Sequence, residues 1–168
     1  EPTPEPAQAA QPEPTPEPVP TPVPTPEPVP EPDSNNEKIV NIYVDSGNFS
    51  SPYYKFYTNI SGTEELIPIN TLYLDTKYVF YRLNNTLNHP FYISDNGYEL
   101  ISSSNILISG DGSFNSGIIG DQSFTLEFNG LTINDNLYYY CTSHPNMIEQ
   151  FNLLNGLLIL EPIPEPVP

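Results

Sequence analysis

Proline stands at nearly every second position through most of residues 1–32, as in Pro12-Glu13-Pro14-Thr15-Pro16-Glu17-Pro18-Val19-Pro20. That spacing decides where this chain can fold. Proline fixes φ, lacks an amide hydrogen and pushes the residue before it into extended backbone, so the run supports neither a helix nor a sheet ladder. Polyproline II is the conformation it favours, reaching roughly 100 Å at about 3.1 Å per residue. Residues 1–37 therefore read as a low-complexity, disordered or polyproline II linker. Residues 162–168, Pro162-Ile163-Pro164-Glu165-Pro166-Val167-Pro168, read as the start of a second one. Proline segments that dock in SH3-like or WW-like grooves usually carry flanking basic residues, and the first run has none, so a spacer is the expectation. A domain between matching spacers reads as one module of a longer protein.

Folding is thus left to residues 38–161, enough chain for a real core. This stretch is rich in Tyr, Phe, Ile and Leu, which suit strands, and in Asn, Ser, Asp and Gly, which suit turns. Strands are expected at Lys38–Val44, Tyr53–Tyr57, Leu72–Leu74, Tyr78–Leu83, about Asn88–Ile93, Ser123–Phe128 and Leu137–Cys141. In the Ser123–Phe128 strand Phe124, Leu126 and Phe128 share one face. Residues 96–121 read as an irregular excursion with short strands, such as Ile106-Leu107-Ile108. After Met147 two readings stay open. One is a hairpin turning at Asn155-Gly156; the other is a short helical turn over Ile148–Leu154 followed by a last strand. No stretch holds a 3.6-residue period over three turns. Many short strands with frequent turn signals indicate an all-β sandwich or barrel.

Charge and cysteine count narrow the function. Net charge is -17, and Lys38, Lys55, Lys77 and Arg82 are the whole basic complement. So acidic a chain is repelled by nucleic acid and anionic lipid and favours a cation or a basic protein surface. No apolar run reaches the roughly eighteen residues of a membrane helix. A single cysteine permits no intrachain disulfide.

That cysteine heads the most informative stretch, Tyr138-Tyr139-Tyr140-Cys141-Thr142-Ser143-His144-Pro145-Asn146-Met147. It gathers the chain's one Cys, one Met and one of its two His into Cys-x-x-His-x-x-Met. Thiolate, imidazole and thioether are soft or borderline donors, and together they suit copper. A trigonal copper site with a weak axial methionine needs a second imidazole, and His89 is the one available. A catalytic Cys141–His144 pair lacks an evident third group to orient the base. The chain is therefore not expected to be an enzyme.

Asn88-His89-Pro90-Phe91 together with Tyr139-Tyr140-Cys141-Thr142-Ser143-His144-Pro145-Asn146-Met147 resembles the cupredoxin, or blue copper, family. The Cys, His and Met spacing is similar to the short ligand loop of amicyanin-type carriers. The resemblance spans roughly residues 39–160. It implies a Greek-key β-sandwich of about eight strands binding one copper ion, Cu(I) or Cu(II). His89, Cys141 and His144 would be the equatorial ligands and Met147 the axial one. It further implies one-electron transfer with a redox or copper-exchange protein partner, in an extracytoplasmic setting that also suits stalk-like linkers. Copper capture and delivery, and a structural or adhesive sandwich displayed on its stalks, are the alternatives. Two histidines leave none for a type 2 or trinuclear centre, and one cysteine excludes a binuclear copper–thiolate centre.

The chain departs from the family pattern in two places. Pro90 follows the first histidine, where electron carriers often have a backbone N–H donating to the thiolate. Ile148-Glu149-Gln150 follows Met147 where related modules have small residues.

Overall fold

The computed structural model describes residues 38–156. The proline-rich linkers, the boundaries at 37/38 and 161/162, and the Leu157–Leu160 half of the expected hairpin lie outside the described residues.

Ten strands follow one another along the described chain. They are β1 Lys38–Val44, β2 Phe56–Tyr57, β3 Thr71–Tyr73, β4 Thr76–Arg82, β5 Phe91–Ser94, β6 Ile106–Gly110, β7 Ser123–Phe128, β8 Tyr138–Cys141, β9 Ile148–Gln150 and β10 Asn152–Leu154. A 3-10 turn at Leu83–Asn85 is the one helical element among them, and no helix of the described residues is long and apolar enough to cross a membrane. The fold is an all-β sandwich.

One sheet has the order β2-β1-β4-β7-β6, a second has β5-β8-β9, and β10 pairs with β3. β1 and β4 run parallel, while β4, β7 and β6 run antiparallel to their neighbours. The steps from β4 to β5, from β5 to β6 and from β7 to β8 cross between the two larger sheets.

Period-two alternation explains the layers. β4 buries Thr76, Tyr78, Phe80 and Arg82 and turns the residues between them outward, and β7 buries Phe124 and Leu126. These faces meet the second sheet through aromatic rings. Phe80 stacks on Phe124 at 5.2 Å and tilts against Phe91 of β5 at 5.7 Å. Phe56 of β2 meets Tyr139 of β8 edge-on at 5.0 Å. Offset and edge contacts of this kind add to the burial of large apolar area and hold the two sheets in register.

The structure departs from several sequence expectations: β4 begins at Thr76 rather than Tyr78, and β5 at Phe91 rather than about Asn88. The second strand is Phe56–Tyr57 rather than Tyr53–Tyr57. The Asp45 carboxylate accepts from the Lys55 N–H at 3.1 Å, so a side chain takes that amide and the ladder starts one residue later. The helical alternative for Ile148–Leu154 is replaced by two strands. β9 pairs with β8 and β10 with β3, so consecutive short strands join different sheets across Phe151, which is buried between them.

Candidate metal centre

Strand register brings the separated donors together. Phe91 pairs with Cys141 across β5 and β8, so His89, two residues before Phe91, arrives at the same end of the sheet as the loop that leaves β8. The two connections are also tied directly. The Thr142 N–H donates to the Pro90 carbonyl at 3.0 Å, and the Tyr98 hydroxyl donates to the Thr142 carbonyl at 3.1 Å. Gly117 has φ of 61°, and a Cβ there would lie 2.8 Å from the Pro90 carbonyl carbon. A side chain is therefore excluded where this neighbouring loop passes behind the His89–Pro90 step.

The Cys141–Met147 loop is two consecutive tight turns with a shared corner. The His144 N–H donates to the Cys141 carbonyl at 3.2 Å, and the Met147 N–H donates to the His144 carbonyl at 2.9 Å. Thr142-Ser143 and Pro145-Asn146 occupy the central positions of these turns, where such residues are favoured. The Cys141 N–H closes the loop onto the Met147 carbonyl at 3.0 Å. A spacing of three thus places Cys141, His144 and Met147 at successive turn corners.

His89 is held in an unusual backbone conformation. Its φ of 48° is left-handed, a region histidine tolerates better than most residues, and the following proline restricts it further. Its carbonyl accepts from Arg82 Nη1 at 2.7 Å and from the Tyr54 hydroxyl at 2.9 Å. Arg82 itself is 2% exposed. Its other bonds go to the carbonyls of Ile118 at 3.1 Å, Asp45 at 2.7 Å and Asn88 at 3.0 Å. One guanidinium fork thereby binds the backbone of three loops behind the centre.

The donor atoms form a small triangle. His89 Nδ1 lies 3.1 Å from His144 Nδ1, and Cys141 Sγ lies 3.3 Å from His144 Nδ1 and 3.8 Å from His89 Nδ1. A circle through corners with these separations has a radius of about 2.0 Å, close to an ordinary metal–nitrogen bond length. The three residues form a group able to hold a metal ion. Cys141 is buried, and the two histidines are half-buried. Met147 is also buried, at 2% exposure. Its loop position is the one described above, and its role as a ligand is taken up under the proposed function.

No protein-family model, curated protein or solved structure matches this chain. The metal centre therefore stands on its own donors and their supports.

Of these donors, His89 is biased towards the neutral form that a metal takes. The His89 imidazole is held below its ordinary pKa, first by burial and then by the neighbouring His144 and Arg82. Both histidines turn Nδ1 towards each other, so a proton on each would face a proton on the other; the neutral ring is also the form that binds metal. This has a consequence for the metal-free domain. Between the unfolded value of about 6.5 and the lower folded value, the unfolded chain takes up more protons than the folded one. His89 thus contributes stability that is fully present above about pH 6.5 and is lost as pH falls through its folded pKa. Denaturant midpoints of metal-free protein at pH 7.5 and pH 5 should therefore show a loss at the lower pH that shrinks in His89→Asn. An unchanged pH dependence in that variant would refute the assignment.

Sequence reasoning found the donors and missed their supports, Tyr54, Arg82, Tyr98 and Gly117. A signal for Arg82 was present. It continues the inward alternation of Tyr78 and Phe80, which places a cation in the core. The other three depend on contacts between segments distant in sequence.

Proposed function

We propose that residues 38–161 form a cupredoxin-like, type 1 copper domain that exchanges single electrons with a protein partner. The observation that carries this reading is the triangle of one buried thiol sulfur and two imidazole Nδ1 atoms. Two histidines and one cysteine in a plane, with a weak methionine, is a donor set that selects copper. A structural zinc site would be completed by further thiolate, imidazole or carboxylate donors, and thioether is a poor substitute. Met147, at the next turn corner, is the proposed axial donor.

When bound, copper supplies a one-electron couple between Cu(I) and Cu(II). Cys141 contributes the anionic soft donor, and His89 and His144 contribute neutral nitrogen. The two loop turns and the Arg82 clamp hold these donors in place, so the same arrangement serves both oxidation states with little movement. Residues 46–51, 84–90 and 143–146 around the centre include no charged side chain. On so acidic a chain, these three uncharged loops offer a partner protein its approach, with Glu149 meeting their edge at Ser51. We place this activity outside the cytoplasm, and we propose electron exchange rather than catalysis on a substrate.

Adding Cu(II) to the full chain should produce an intense visible thiolate-to-copper absorption that saturates at one equivalent. A weak absorption typical of nitrogen and oxygen ligands, or no binding, would overturn the copper–thiolate reading. The centre should then cycle reversibly with a chemical reductant and oxidant. Loss of the metal on reduction would replace electron transfer with copper capture and delivery.

Pro90 allows a sharper expectation. It has no N–H to give the Cys141 sulfur, and its carbonyl is engaged by Thr142. With one fewer hydrogen bond, the sulfur gives more electron density to the metal and favours the oxidised state. The reduction potential should therefore lie below that of cupredoxins with an N–H donor at this position, as a redox titration would show. An equal or higher value would contradict this account.

A further inference from the structure

Phe49 has no part in the ligand set or its clamps. It is 72% exposed, while the other seven phenylalanines are buried or half-buried. Its ring nevertheless lies against both histidines. The centroid is 4.8 Å from that of His89 at an interplanar angle of 82°, and 5.0 Å from that of His144 at 87°. Edge-to-face contact with both imidazoles, which are themselves 4.8 Å apart, sets one apolar ring across the pair.

The supporting loop holds the ring there through hydrogen bonds. The Asn48 N–H donates to the Tyr53 carbonyl at 2.9 Å, the Asn48 side chain donates to the Pro52 carbonyl at 3.0 Å, and its oxygen accepts from the Ser50 N–H at 2.8 Å. At the base of the loop, the Asp45 carboxylate accepts from the Gly47 N–H at 2.9 Å, and Arg82 binds the Asp45 carbonyl. Phe49 is thus the tip of a closed loop anchored by the same arginine that positions His89. An aromatic ring of this size is usually buried. Here most of its surface is left in water, and its described ring contacts are the two imidazoles.

We propose that Phe49 is the cover of the metal centre, a positioning and specificity residue that fixes both imidazole planes and keeps small exogenous ligands off the metal. It rests on the metal centre proposed above. The ring excludes water and small anions such as azide from the histidine side, and it blocks rotation of either imidazole away from the donor triangle. The neutral loops around it add no charge to attract an anion. The centre therefore admits electrons while refusing a further ligand.

The test compares wild type with Phe49→Ala and Phe49→Leu in two measurements on the full chain. The first needs no metal. The chain has two histidines, so their ring protons and their rates of carbethoxylation by diethyl pyrocarbonate can be read individually. Phe49→Ala should shift the ring resonances of both histidines as the aromatic ring current is lost. It should also speed carbethoxylation by about tenfold, and Phe49→Leu should restore most of the protection. Unchanged resonances and rates would overturn the proposal.

The second measurement titrates azide into the Cu(II)-loaded proteins while following the thiolate band and the paramagnetic resonance spectrum. Azide should alter Phe49→Ala at concentrations at least tenfold below any that alter wild type. Equal responses would overturn the exclusion role. If wild type forms no thiolate–copper centre while Phe49 still protects both histidines, the copper reading fails and the cover over the imidazole pair stands.

Discussion

Cys141→Ser should abolish the visible thiolate band and weaken copper binding by more than about 100-fold. The alcohol of serine stays protonated where a thiol ionises, so the site loses its one anionic donor along with its soft one. Loss of a residue that merely supports a ligand typically costs 10–100-fold in metal affinity, and loss of a ligand should exceed that. A 100-fold loss corresponds to about 2.7 kcal/mol. The fold should survive, because serine is nearly the same size and its hydroxyl can donate to the nearer imidazole nitrogen, His144 Nδ1, 3.3 Å from the native sulfur. Competition titrations with a chelator of known affinity measure the change, and thermal melts of the metal-free proteins check the fold. Retained colour or affinity would remove Cys141 from the ligand set.

Arg82→Met should lower stability by about 2–4 kcal/mol and weaken metal binding by about tenfold or more. Two effects oppose each other. Burial already holds the guanidinium below its ordinary pKa, and Nε has no hydrogen-bond partner, so removing the charge relieves a desolvation cost. Against this stand the carbonyls the fork satisfies. His89 keeps the Tyr54 hydroxyl, and Ile118 keeps the Phe91 N–H at 3.2 Å, but the carbonyls of Asp45 and Asn88 lose the bonds Arg82 makes to them. Both carbonyls are part-buried, so each loss costs up to about 1–3 kcal/mol, and methionine restores neither bond, so loss prevails. The released His89 segment can then leave its left-handed conformation, which widens the donor triangle. Arg82→Lys keeps the charge without the planar fork and should recover less than half of either loss. Denaturant melts and copper titrations of both variants decide the matter. A fully active lysine variant would show that charge alone suffices.

The amino-acid sequence determined the class of fold and marked His89, Cys141 and His144, the three residues that the fold brings together as possible metal donors. The strand signals in Lys38–Val44, Tyr78–Leu83 and Ser123–Phe128 are local information, and they committed the chain to strands with one buried face. Short-range turn chemistry did the same for the ligand loop. Thr142-Ser143 and Pro145-Asn146 make two tight turns, so the three-residue spacing already sets Cys141, His144 and Met147 at successive turn corners. Side-chain chemistry then pointed to a metal, since a thiol and two imidazoles are donors that metals share, and the proposal of copper rests on that donor set.

Only the tertiary structure decided how His89 reaches that loop and what holds it there. The pairing of Phe91 with Cys141 is a register between strands fifty residues apart, and many registers satisfy the same alternation. Tyr54 and Arg82 converge on the His89 carbonyl from different strands and loops, so no local pattern marks their shared target. The Asp45 side chain delayed the start of β2 to Phe56 by taking the Lys55 amide. Phe49 shows the limit most clearly. Nothing in its local sequence singles it out, and only the folded loop leaves it exposed against the two histidines.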